Sequence, residues 1–170
     1  LWPALLLWLP LAPAAAPAAP SSQQLAVAVK AAFIPKFARY VSWPSERPMR
    51  LCIIGQDPFG RLIDRAAASE RIGQRQVTVH RMANADHASG CAIAFVDGDS
   101  RQSTAQMLAK LRAWPVLTVT DAELGSTRGM IHFAISGGKV GFHIDDAAAA
   151  RSNLSISSRL LRLAISVKQR

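Results

Sequence analysis

The sequence predicts an α/β fold: a single domain with a mostly parallel sheet, helices on both faces, and a C-terminal β-hairpin followed by a final helix. Three observations carry this expectation. Four short apolar runs have the length and turn-residue flanks of buried strands: LCIIG from Leu51, QVTVHRM from Gln76, CAIAFVDG from Cys91 and PVLTVTD from Pro115. Helical stretches separate several of them, the alternation that builds a parallel sheet covered on both sides. The alternating segments MIHFAIS and KVGFHID then flank Gly137-Gly138, a two-residue turn that tolerates positive φ at both positions. A chain of 170 residues suffices for one such domain and is short for two.

Taken in order, the chain opens with LWPALLLWLPLAPAAAPAAP, which carries no charge and five of the ten prolines. An apolar run followed by small residues reads as a secretory signal peptide over residues 1–19, with cleavage near 16–20 at Ala14-x-Ala16 or Ala16-x-Ala18. The competing reading is a membrane anchor. Pro3, Pro10, Pro13 and Pro17 oppose it, since each costs roughly 3 kcal/mol inside a helix. Residues 20–170 then form the single domain.

Ser21-Ser22 supply a helix N-cap, with Gln24 near the reciprocal position of a capping box. Leu25, Val29, Ala32, Phe33, Phe37, Tyr40 and Val41 recur at helical spacing, Pro35 should kink that helix, and Trp43-Pro44 should end it. In a later helix Met107, Leu108 and Leu111 share one face. Pairing across Gly137-Gly138 sets Ile135 against Val140, Phe133 against Phe142 and Ile131 against Ile144, all on one face that must be the core face. A final helix is expected from about Ser157, with Leu160, Leu161, Ala164 and Val167 inward and Arg159, Arg162 and Lys168 in water.

Composition narrows the function classes. Half of the residues are hydrophobic, too many for a disordered chain. Beyond the N-terminal segment no apolar run approaches the roughly 20 residues of a membrane span. The net charge is +9 and the pI about 10.8. In an exported protein such a charge points to anionic lipid, cell-wall polymer or an acidic protein partner rather than to nucleic acid. The basic residues are scattered, and a basic surface without a specific counterpart is the plainer alternative.

Two cysteines in an exported chain favour a disulfide. Cys52 and Cys91 each begin a predicted strand, and the first and third strands of an open parallel sheet are usually neighbours. That places the thiols roughly 5 Å apart; two buried free thiols are the alternative. In GQDPFG, Asp57 as N-cap and Pro58 at the first helical position account for the motif without a ligand, and no Gly-Lys-Ser/Thr of a phosphate loop follows. Gln56, Asp57, Asp97 and Asp121 follow strands and mark a possible ligand edge, because open α/β sheets bind ligands at their carboxyl ends. Asp99 and Ser100 read more simply as caps. His132 and His143 fall opposite each other in the hairpin register, close enough to reach one metal. A polar pair on the outward face is the simpler reading, and two imidazoles alone do not make a metal site. No nucleophile elbow and no dinucleotide fingerprint is present, so neither an enzyme nor a cofactor is expected.

VKAAFIPKFARYVSWP, GQDPFG after the first strand, PVLTV, GMIHF and ISSRLLRLA resemble, in order and spacing, the YfiR family of small periplasmic proteins from about Val29 to Ala164. Pro35 departs from the helix-compatible residue usual there. The resemblance implies a regulator rather than a catalyst. Members of that family hold an inner-membrane diguanylate cyclase inactive by binding its periplasmic part. They are titrated away by an outer-membrane, peptidoglycan-associated lipoprotein, and the output is cyclic di-GMP and with it biofilm. Family members also carry a cysteine pair at positions matching Cys52 and Cys91, and some carry a second pair that is missing here.

A regulator of that kind acts through surface. Ile34, Lys36, Arg39, Tyr40 and Trp43 lie off the Phe33–Phe37–Val41 line of the first helix and are the expected partner or self-association surface, including a possible homodimer. The alternative function is a periplasmic small-ligand or metal-binding module that uses the acidic sheet edge.

Overall fold

The computed structural model describes residues 13–170. Most of the expected signal peptide lies outside the described residues, and 13–21 form no regular element. The elements run α1 (Ser22–Lys36), a 3-10 turn (Phe37–Tyr40), β1 (Val41–Ser42), β2 (Arg50–Gly55), α2 (Arg61–Ala68), β3 (Arg71–Ile72), β4 (Arg75–Gln76) and β5 (Thr78–Met82). They continue with a 3-10 turn (Ala88–Gly90), β6 (Ile93–Asp97), α3 (Thr104–Leu111), β7 (Leu117–Asp121), β8 (Ile131–Ser136), β9 (Lys139–Asp145), α4 (Asp146–Arg151), β10 (Ser155–Ile156), α5 (Ser158–Leu161) and β11 (Ser166–Lys168).

Seven strands form the main sheet in the order β11-β9-β8-β7-β6-β2-β5. Five neighbouring strands, β5, β2, β6, β7 and β8, run parallel, while β9 is antiparallel to β8 as its hairpin requires. The expected α/β architecture is therefore present. The hairpin register matches the sequence reading at all three apolar pairs.

The two faces of the sheet are covered differently. On one face, residues such as Leu51, Ile53, Phe95, Val119, Phe133 and Phe142 pack with Ile34, Phe37, Ile63 and Ala67 of the α1–α2 side. Phe133, Phe142 and Phe37 meet edge to face or tilted, with ring centroids 5.4–6.4 Å apart. On the other face α3 lays Met107, Leu108 and Leu111 against Cys52, Ile54, Ala94 and Val96. Beyond α3 that second face turns polar, with Thr118, Thr120 and His132 all buried. The strap 122–130 from β7 back to β8 covers them: Gly129 N donates to Thr120 Oγ1 at 2.8 Å and Met130 N to Thr118 Oγ1 at 3.0 Å.

Several local expectations change in the structure. The capping box forms as expected, with Gln24 N donating to Ser21 Oγ and Ser21 N to Gln24 Oε1. Pro35 sits in the last turn of α1, and the chain tightens there into a 3-10 turn rather than kinking and running on as an α-helix. Proline has no N–H to continue the ladder, and its ring crowds the preceding turn. Asp57 closes a turn rather than capping α2. Its Oδ1 accepts from Phe59 N and Gly60 N, and the helix starts at Arg61. That turn buries Phe59 against Phe95, ring centroids 4.7 Å apart. The final helix is a single turn. Val167, expected on its apolar stripe, instead belongs to β11, which pairs in parallel with β9. Ile135 is on the predicted core face, yet it is 44 % exposed, at the edge of an open groove between the hairpin and the first turns of α1.

α1 is apolar around most of its circumference, so hydrophobicity alone does not choose which side faces in. A charge does. Lys30 is only 1 % exposed, and its Nζ donates to Asp121 Oδ2 at 2.7 Å and also to Glu123. A buried ammonium is tolerated only when paired, so Lys30 must face the end of β7. Ala31 and Ile34 then turn inward with it, and Leu25 and Val29 turn out.

Removing one partner of such a pair strands a buried charge. Lys30→Ala should cost about 3–5 kcal/mol in urea unfolding, while Lys30→Met combined with Asp121→Asn should recover most of it. A loss below about 1 kcal/mol in the single variant would mean that the pair does not hold α1.

Candidate functional site

Cys52 in β2 and Cys91, just ahead of β6, form a disulfide with Cα atoms 5.9 Å apart. β2 and β6 are neighbours, with Leu51 opposite Ile93. That adjacency brings the two thiols to the same end of the sheet, as the sequence predicts. Both residues are fully buried beneath the α3 side. Reductant reaches the bond only where the fold opens.

The residues marked as a ligand edge do not form one site. Asp57 is committed to its turn and, through Oδ2, to Arg81 Nε at 2.8 Å. Arg81 also holds Asp64, which keeps the Asp64 carboxyl below the usual range. Gln56 N continues the ladder to Asp97 O at 2.9 Å. This close approach requires glycine at position 55: its φ is +87°, and a Cβ there would lie 2.0 Å from the Asp97 carbonyl oxygen. Asp121 is neutralised by Lys30. Among the described residues Asp97 is the one of the three acids that makes no ion pair, and burial, then the Asp121 charge, push its carboxyl up. The space between the ends of β6 and β7, lined by Asp97, Thr104, Thr120, Asp121 and Leu124, is about 30 Å³. That admits a water and little more. Among the described residues no group of three His, Cys, Asp or Glu is placed to hold a metal.

His132 and His143 do pair across the hairpin. Each imidazole, however, is tied away from the other: Nδ1 of His132 lies 2.8 Å from Thr120 Oγ1, and Nδ1 of His143 lies 2.6 Å from Ser166 Oγ. His132 is not on an outward face, because the strap 122–130 buries it. Burial, then the positive charge of Arg128, holds both imidazoles below the ordinary histidine value.

The expected partner surface is corrected at Ile34. This side chain is fully buried, because it follows Lys30 by one helical turn and faces the sheet with it. Tyr40 and Trp43 are half-buried, and Trp43 Nε1 donates to Ala92 O at 3.2 Å. Lys36 and Arg39 remain exposed, with Arg39 Nε 2.7 Å from the carboxylate of Glu70. The exposed apolar residues lie one to three turns earlier. Leu25 is 52 % and Val29 40 % exposed. Together with Ile135 and Val140 of the hairpin, and with Lys139 at the rim, they line a groove of about 620 Å³. Sequence periodicity placed Leu25 and Val29 on the same stripe as Phe37; the all-round apolar character of α1 was the signal that one side had to remain uncovered.

The described residues thus form a disulfide-linked α/β domain with an open apolar groove between α1 and the β8–β9 hairpin. The chain belongs to the YfiR/HmsC-like family, whose model matches residues 27–165. No curated protein matches the sequence.

Closing the loop of 39 residues should stabilise the domain by about 4 kcal/mol. Alkylation of the unreduced protein unfolded in denaturant should label neither thiol, and Cys52→Ala with Cys91→Ala should lower the melting temperature. Labelling of both thiols without reductant contradicts the bond.

His132 gives a pH dependence. Its folded value lies below 6.5, so the unfolded chain takes up the proton first as pH falls. Stability is complete above the unfolded value and is lost as pH drops below it. Melting temperatures between about pH 7.5 and about pH 5.5 should decline, and His132→Asn should flatten that slope. An unchanged slope in the variant would assign the decline to other groups.

Proposed function

We propose that this protein is a non-enzymatic periplasmic regulator that inhibits a membrane diguanylate cyclase by protein–protein contact, lowering cyclic di-GMP and biofilm output. Its membership of the YfiR/HmsC-like family over residues 27–165 is the observation that carries the reading. The buried disulfide suits an oxidising compartment, reached through a leader over residues 1–19 that is cleaved near 16–20. Release from the cyclase falls to an outer-membrane, peptidoglycan-associated lipoprotein, in keeping with the family. A homodimer would use the same kind of surface.

The contact surface within this reading is the groove between α1 and the β8–β9 hairpin, with Leu25, Val29 and Ile135 as its apolar floor. Lys36 and Arg39 lie further along the same segment. Interface cores use apolar residues of this kind and leave charge to the rim.

The test is co-purification with the periplasmic part of the cyclase, together with cellular cyclic di-GMP. The native protein should bind and lower the nucleotide. Leu25→Glu with Val29→Glu should keep the melting temperature and weaken binding at least about tenfold. Ile34→Glu should fail to fold, because it buries an unpaired charge. Unchanged cyclic di-GMP on deletion of the protein would refute the regulatory reading. A fully active Leu25/Val29 variant would refute the groove alone.

A further inference from the structure

A second cleft lies on the opposite face of the sheet, beyond the end of α3. It measures about 310 Å³, within the range of small-molecule sites. Arg112 follows the last turn of α3, Arg128 lies on the strap 122–130, and Arg151 ends α4; all three line this cleft. All three are exposed, and among the described residues none of them makes an ion pair or a side-chain hydrogen bond; the same holds for Arg159 and Arg162, whereas Arg39, Arg81 and Arg170 are paired with carboxylates.

One carboxylate, Asp145, borders the cleft, and it is already committed. Its Oδ1 accepts from Ala148 N at 2.7 Å to cap α4, and its Oδ2 lies 3.7 Å from Lys168 Nζ. Three guanidinium groups against one carboxylate leave the cleft with an excess of two positive charges. Ser152 also lines the wall: the residue is 6 % exposed, and its side chain makes no hydrogen bond among the described residues. Leu108 and Met130 supply an apolar floor.

What sets these three apart from the other unpaired arginines is that they converge from three separate elements on one concavity. Guanidinium forks match the oxygens of phosphate and carboxylate, and a phosphate monoester carries nearly two negative charges at neutral pH. We infer that the cleft between α3, the strap 122–130 and α4 binds a small phosphate monoester, with its oxyanion held by Arg112, Arg128, Arg151 and Ser152 and its body resting on Leu108 and Met130. The phosphate comes either from a soluble ester or from a lipid headgroup; the chemistry at the cleft is the same. This site stands apart from the groove beside α1 and does not rest on the regulatory reading.

Calorimetry with glycerol 3-phosphate at about 0.15 M salt, where exposed charges are largely screened, should give saturable one-to-one binding. Glycerol should give none. Arg128→Ala with Arg151→Ala should weaken binding at least about tenfold. Arg159→Ala with Arg162→Ala, which removes the same charge from exposed positions around α5, should leave it unchanged. Co-sedimentation with phosphatidic acid vesicles that depends on Arg128 and Arg151 assigns the phosphate to lipid; binding of the soluble ester alone assigns it to a metabolite. Absence of saturable binding to both probes, or equal weakening by the two double variants, overturns the site. Circular dichroism on each variant confirms that the fold is retained.

Discussion

The buried ion pair between Lys30 and Asp121 governs how α1 sits on the sheet. The pair joins a helix to a strand end 91 residues away in sequence, and it does more than hold them together. It selects one rotation of a helix whose apolar residues would accept several. Ile34 goes into the core because Lys30 does, and Leu25 and Val29 are left in water for the same reason. The pair also neutralises Asp121 at the carboxyl edge of the sheet. One interaction thus builds the apolar groove and closes the acidic edge.

Much of the fold was legible in the sequence because its signals were local. The strands β2, β6 and β7 appear as short apolar runs because a parallel sheet is covered on both faces; β5, expected as a buried strand, is instead the edge of the sheet with no residue buried. The hairpin register followed from Gly137-Gly138, since a two-residue turn fixes every pair beyond it. Cys52–Cys91 was legible because strand adjacency in such sheets constrains which thiols can meet.

The rest depended on tertiary context. A lysine in an apolar helix reads as solvent-facing until its acid partner is known, so Lys30 gave no warning and Ile34 was placed outside. Leu160, Leu161, Ala164 and Val167 fit a helical stripe, but the open edge of β9 captures Val167 into a strand. His132 reads as one of a polar pair on an outward face, and only the strap 122–130 makes it interior. The three arginines of the second cleft lie on three elements that share no sequence motif, so no spacing could have grouped them.

The covalent loop closed by Cys52 and Cys91 encloses α2, the short β3–β4 hairpin and the edge strand β5. The turn at Gly73 joins β3 to β4, away from the central strands. A protease that cuts anywhere between the two cysteines severs the backbone but releases no fragment, because both pieces stay joined through sulfur. The strands that carry most of the core remain in one covalent molecule, so a single nick in this most peripheral part of the sheet leaves the domain assembled.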